Sequence, residues 1–383
     1  MIPNNKLHAK DLYEMTMTTL RNNLTLNIDG YVCDTEMALS VVTKAALDNS
    51  SIAAVCEDLK EVADDNTLRE QLNAVMDVTE MARQEVEMNT TLASGLPADL
   101  PRGGVEVAID FHNEPFYGKT AETRSYTCGD QAQKGTTHFF RIASASVIWR
   151  GIRLTLALTY VLPEYSTLEV LKRLLQRLRH LGFHATVLYL DKGFCSGKVI
   201  TYLQREKQAA IIACPKRGTT GGTQALCQGR KSYRTPYTFT DGTEVDLAVV
   251  ATLPRRKDGK RRRKWLLFVV IGLDWSPKTI MRCYRRRFGI ESTYRHMRQL
   301  RVVSSSRNPA LKFFFLALSL VLVNLWALLR WQLFRRPGCG PRTILSHAFT
   351  LHRFRGLLRR AIEHLYEVIL AVQTTSSPQI VNY

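Results

Sequence analysis

The sequence predicts an α/β fold: a mixed-sheet core carrying a β-rich insertion, with a helical domain before it and helices after it. Three observations predict it. Apolar residues recur at helical spacing through the first 88 residues. From Val105 the pattern changes to short β-branched runs bounded by turns. Those runs then alternate with amphipathic helices in the order strand, strand, strand, helix, strand, helix, strand. At 383 residues, 45% hydrophobic and 23% charged, the chain has ample core and the composition of a globular protein.

The charge is uneven. The formal net charge is +19, yet residues 1–100 hold 7 Lys/Arg against 17 Asp/Glu and the rest 46 against 17. A basic bulk of that size points to a polyanionic partner, nucleic acid first. The 8 cysteines form no CxxC pair and have no histidine at zinc-ligand spacing, so neither a structural zinc nor a disulfide framework is expected. MIPNNKLHAKDLYE has no apolar leader, and a cytoplasmic location, on the nucleoid, is the expectation.

Six regions follow in order: an acidic helical domain at 1–88, a linker at 89–104, the first part of the core at 105–215, a basic β-rich insertion at 216–265, the second part of the core at 266–335, and a basic C-terminal helix with its tail at 336–383. In the first, apolar periodicity marks helices through Leu12–Leu20, Met37–Leu47, Ile52–Leu59 and Leu68–Met81. The last two have helix-turn-helix proportions, but the second offers only Arg69 amid six acids between Glu57 and Glu70, which suits packing or dimerisation better than DNA reading.

In the core, VEVAID (105–110) reads as a strand ending in aspartate, followed by a long polar loop. Strands at 138–149 and 152–162, a helix at 166–181, the strand ATVLYLD (185–191), a helix at 197–207 and a strand at 209–215 complete it. This is a ribonuclease-H-like order, with the first and fourth strands side by side, so Asp110 and Asp191 meet at neighbouring strand ends. Asp241-Gly242 and Asp258-Gly259 are hairpin signals between the insertion's β-runs. The second tip, RRKDGKRRRK (255–264), places Arg255, Arg256, Lys257, Lys260, Arg261, Arg262, Arg263 and Lys264 together as a phosphate-backbone grip.

A helix is expected from Pro277 to Leu300, capped by Ser276. On it Tyr284, Arg287, Glu291, Tyr294 and Arg298 fall within an arc of about 80°. Apolar residues flank this polar stripe, so it should face protein, and Glu291 then needs a partner or a metal. FFFLALSLVLVNLWALL (313–329) has no charge, but 17 residues reach only about 25 Å against about 30 Å of hydrocarbon. A buried helix is expected there, with a membrane anchor the rival. A last amphipathic helix spans about 342–371, with a frayed end beyond.

Asp110, Asp191 and Glu291 could therefore converge, and two Mg²⁺ or Mn²⁺ ions would relieve their repulsion. At these residues the chain resembles the DDE transposases of bacterial and archaeal insertion sequences. Asp191-Lys192-Gly193-Phe194 is similar to their D-R-G-F segment. Tyr284, Arg287, Glu291 and position 298 match their Y-R-E-K signature, with Arg298 in place of Lys and Lys192 in place of Arg. Asp110-Phe111-His112 and the apolar helix with Asn324 and Trp326 add to the likeness, which covers about residues 105–335. The resemblance implies that Asp110, Asp191 and Glu291 hold the metals and that Tyr284, Arg287 and Arg298 contact phosphates of the transposon end. From the stripe itself Tyr294 and Arg295 join the expected DNA contacts, as does Lys192. The resemblance implies binding of terminal inverted repeats, strand cleavage and strand transfer by a homodimer on double-stranded DNA. A DNA-binding protein that keeps the fold without catalysis is the alternative.

Overall fold

The computed structural model describes residues 6–218, 221–253, 263–334, 344–345 and 347–371. The N-terminal region folds as α1 (Ala9–Arg21), α2 (Thr35–Asp48), α3 (Ile52–Asp58), α4 (Asp65–Val75) and α5 (Met81–Ala93). Caps decide where these helices begin: Asp34, Ser51 and Asp64 each accept a hydrogen bond from a first-turn amide. The expected linker does not begin at residue 89, because α5 continues to Ala93. Asn89 explains the extension. Its side chain donates to Leu158 O at 2.8 Å and accepts from Leu158 N at 2.7 Å, which fixes α5 on the sheet.

The core follows as β1 (Val105–Pro115), α6 (Ala121–Arg124), β2 (Cys128–Gln133), β3 (Thr136–Trp149), β4 (Ile152–Val161), α7 (Thr167–His180), β5 (Ala185–Leu190), α8 (Gly197–Arg205), β6 (Ala210–Cys214) and α9 (Gly222–Ala225). Next come β7 (Tyr233–Thr238), β8 (Glu244–Thr252), β9 (Lys264–Ile271), α10 (Pro277–Tyr284), α11 (Phe288–Met297), α12 (Pro309–Leu333) and α13 (Leu351–Leu365). One sheet runs β2-β3-β1-β5-β6-β9-β8-β7, with β4 paired to the other side of β3. β1 and β5 lie parallel and adjacent, as the ribonuclease-H-like order requires. The β-rich segment does not stand apart: β9 pairs antiparallel with β6 and carries β8 and β7 as a continuation of the core sheet.

β1 is longer than expected and carries Asp110 mid-strand. The reason lies in its two neighbours. Antiparallel β3 stays paired with β1 as far as Pro115, whereas parallel β5 leaves after Leu190, opposite Ile109. Asp110 therefore sits where one neighbour ends, beside Asp191. The polar strand β2 lies within the expected loop; its sequence CGDQAQ has no apolar alternation to announce it.

The apolar stretch 313–329 lies within α12, which begins four residues earlier because Asn308 caps it and Pro309 occupies its first turn. It is long and apolar enough to cross a membrane, but 94% of its most apolar window is buried within the protein. Helices of the N-terminal region, α13 and one face of the sheet share a single apolar cluster with it. Burial of each large side chain there contributes about 1.5–3 kcal/mol. The C-terminal helix is shorter than expected, starting after the Thr350 cap; the expected frayed end from Thr374 lies outside the described residues.

Candidate active site

The helix expected from Pro277 to Leu300 is interrupted. Ser276 caps α10 as foreseen, but Arg285–Arg287 forms a 3-10 turn before α11 begins. Such a turn tightens the chain to three residues per turn and brings Arg287 inward. Gly289 follows where a Cβ would overlap the Arg153 guanidinium, so a larger residue there would make that side chain move.

Arg287 is the centre of the site. Its side chain is 7% exposed. Nη1 donates to Asp110 Oδ2 at 2.8 Å, and Nη2 to Glu291 Oε1 at 3.2 Å, with Asp191 Oδ1 3.7 Å away. The three expected carboxylates, from β1, the end of β5 and α11, are thus gathered by one guanidinium. Its Nε is buried without a hydrogen-bond partner among the described residues. Burial pushes the Asp110 carboxyl up, Arg287 pulls it back and Asp191 adds to the rise, which leaves it at about 6.

Two stripe residues expected to contact phosphates are instead beneath the surface. Tyr284 is buried and donates to Leu190 O at 3.1 Å, steadying the strand end that leads into Asp191. Tyr294 is buried too; its hydroxyl donates to Asp110 O at 3.1 Å and lies 2.8 Å from Ser144 Oγ, which is left to donate to it. Burial raises both phenols above their usual range. Both rings are enclosed because the apolar border of Cys283, Ile290 and Met297 packs into the core and draws the stripe down with it. Arg287 likewise meets carboxylates rather than solvent. The remaining candidates, Lys192, Arg295 and Arg298, are exposed and line a cleft of about 820 Å³ with Asp110, Asp191 and Glu291.

Of the basic hairpin tip, Arg255, Arg256, Lys257, Lys260, Arg261 and Arg262 lie outside the described residues. Arg263 donates to Gly229 O at 2.8 Å, and Lys264 opens β9 with its side chain exposed. Trp265 is buried in one apolar cluster, and Trp275 is partly buried against the other.

Two arginines of the cleft escaped the sequence reading. Arg217 follows β6, and a basic pair just past a parallel strand, Lys216-Arg217, is a usable signal because ligands collect at the carboxyl ends of such strands. Arg141, mid-strand in β3, gave no such signal. It reaches Asn113 Oδ1 and Asp130 Oδ2, each at 2.7 Å.

Among the described residues no three His, Cys, Asp or Glu side chains stand close enough to enclose a metal ion. Glu291 is half exposed and Arg287 occupies the space between the acids. The donor set nonetheless suits a hard divalent cation, since all three groups offer carboxylate oxygens. The cation that the cluster holds in this structure is the Arg287 guanidinium.

The comparison with curated proteins finds no match. The fold is similar to that of piggyBac transposase in a structure of its synaptic complex with hairpin DNA, with a TM-score of 0.55 and 10% identity over 92% of this chain and 76% of that one. The family model for the transposase DDE domain matches residues 123–325, which include Asp191 and Glu291, while Asp110 lies just upstream. That match spans more than half of the sequence, and the chain belongs to the transposase DDE domain family.

Proposed function

We propose that the chain cuts and joins DNA strands at transposon ends with the aid of divalent metal ions. The observation that carries this reading is the convergence of Asp110, Asp191 and Glu291 on the single cation Arg287. Asp110, Asp191 and Glu291 would hold Mg²⁺ or Mn²⁺, which supply charge neutralisation and a more acidic attacking oxygen for displacement at phosphorus. The rest is the work of this chain. Lys192, Arg295, Arg298 and Arg217 face the cleft and attract the backbone of double-stranded DNA. Tyr284 and Tyr294 hold the backbone at Leu190 and Asp110, so the aspartates keep their places as a substrate enters. Arg287 offsets part of the acids' charge before substrate and metal arrive. Cutting two ends implies at least two copies on one DNA.

Nicking of supercoiled DNA with added Mg²⁺ or Mn²⁺ tests the reading. The parent nicks, and Asp110→Ala, Asp191→Ala and Glu291→Ala each abolish it; three variants that nick like the parent end the enzyme reading. One observation favours the rival, a DNA-binding protein without catalysis: Arg287 fills the space the ions would use. That rival predicts DNA binding with no nicking at any metal concentration.

A further inference from the structure

Between α11 and α12 the chain runs from Arg301 to Arg307 without helix or strand and forms one wall of a second cavity, about 380 Å³ in volume. The other wall is the end of β1 and its loop, from Glu114 to Gly118, together with Lys134. Four cations line it, Lys134, Arg301, Arg307 and Lys312, against one acid, Glu114. Arg301 donates to Glu114 Oε1 at 2.7 Å, and that pair is closed. Burial would raise the Glu114 carboxyl, but His112, Arg301 and Lys312 outweigh it and hold it below the usual range.

Three cations remain. Lys312 is half-buried and, among the described residues, hydrogen-bonds only Ser304 O, at 3.4 Å. Burial draws its ammonium below the usual range, Glu114 pulls it back and Arg301 pushes it further down. Arg307 and Lys134 have no ion pair among the described residues, and the hydroxyls of the Ser304–Ser306 run stand beside them. A cavity with a partly desolvated ammonium, a free guanidinium and hydroxyl donors has the chemistry of an anion site.

Its position says which anion. Glu114 is four residues along β1 from Asp110, about 13 Å at the rise of a strand. One strand of DNA carries a phosphate about every 3.4 Å of helix axis, so that distance spans no more than a few nucleotides. Arg298 in the cleft and Arg301 in the cavity wall are three residues apart, so the two basic linings are continuous. We infer that this cavity is a second phosphate subsite, where Lys312 and Arg307 hold the DNA backbone a few nucleotides from the scissile phosphate; the inference rests on the transposase reading above.

The test uses the full chain and a short duplex of arbitrary sequence, with binding followed by fluorescence anisotropy over a range of salt. Each phosphate contact contributes about 0.9 to the slope of log K against log salt. Arg307→Ala should flatten the slope by about one and Arg307→Ala with Lys312→Met by about two. Lys10→Ala with Arg21→Ala, on the acidic α1, should leave it as in the parent. A parent that binds DNA, with variants of unchanged slope, overturns the subsite alone. A parent that binds no DNA at any salt removes the transposase reading and the subsite with it. Arg307 is exposed, so its variant carries the test even if the Lys312 change prevents folding.

Discussion

At the outer edge of β4 and at the centre of β1 the protein buries polar groups in opposite ways. Along β4, Asn324 accepts from Thr155 N at 2.9 Å and donates to Thr155 O at 2.7 Å and Leu92 O at 3.1 Å. Asn89 does the same for Leu158, so a strand edge covered by α5 and α12 has its polar groups paired. At β1, three carboxylates share one guanidinium at uneven distances, and its Nε has no partner. The first arrangement is closed, and nothing more can bind there. The second is left open, with negative charge in excess, as a site must be if a cationic group is to join it.

The largest expected effect sharpens this contrast at the open site. Asp191→Asn keeps the size of the side chain but removes a charge that only the cluster uses. Nicking should fall by at least about a hundredfold, as loss of a group that orders a metal site does. The urea midpoint should stay near that of the parent, because Asp191 touches Arg287 only at 3.7 Å. A large loss of stability with little loss of nicking would reverse the assignment of the two regions.

At the closed site the expectation is the reverse. Asn324→Leu fits an apolar helix but leaves the amide and carbonyl of Thr155 unpaired in the core. An unpaired buried group costs about 1–3 kcal/mol, so a loss of about 3 kcal/mol in urea unfolding is expected. If stability is unchanged, the strand edge has found other partners and the comparison fails.

Arg287→Met breaks the open site from within. Three carboxylates then face one another with no counter-charge, and the thermal midpoint should drop by the equivalent of about 1–3 kcal/mol. Added Mg²⁺ should restore part of it, since a ligand at 100 times its Kd contributes about 2.7 kcal/mol to the state that binds it. In the parent, where Arg287 already offsets part of that charge, chelation should stop nicking and barely move the midpoint. A variant whose midpoint ignores Mg²⁺ would mean that the acids do not hold metal.

How much of this could be read from the sequence follows from the range of each signal. The order of strands and helices was legible because period-2 and period-3.6 patterns are local. So were Asp110, Asp191 and Glu291, given that order. The length of β1 was not legible, since it depends on how far β3 stays paired, which β1 does not encode. The stripe on the helix was visible as a stripe, but spacing cannot tell a phenol that reaches DNA from one that reaches a carbonyl. Tyr284 and Tyr294 turned out to be of the second kind. The 3-10 turn at Arg285–Arg287 owes its place to contacts 177 residues apart, between Arg287 and Asp110. Asn324 stood out only as a polar residue in an apolar run; its partners belong to a strand edge far away in sequence.

Tyr294 joins the two regimes, and its variant has the smallest expected effect. It belongs to the open site by position, but its hydroxyl is closed off by Asp110 O and Ser144. Tyr294→Phe removes two hydrogen bonds and leaves Ser144 and the Asp110 carbonyl to adjust. A loss of about 1 kcal/mol in urea unfolding is expected. Nicking should fall less than tenfold, because the Asp110 carboxylate keeps its bond to Arg287. Were the phenol in contact with DNA phosphate instead, the balance would invert: stability would hold, and DNA affinity would drop with a flatter salt dependence. Measuring both on one variant decides whether Tyr294 serves the protein's own backbone or the DNA's.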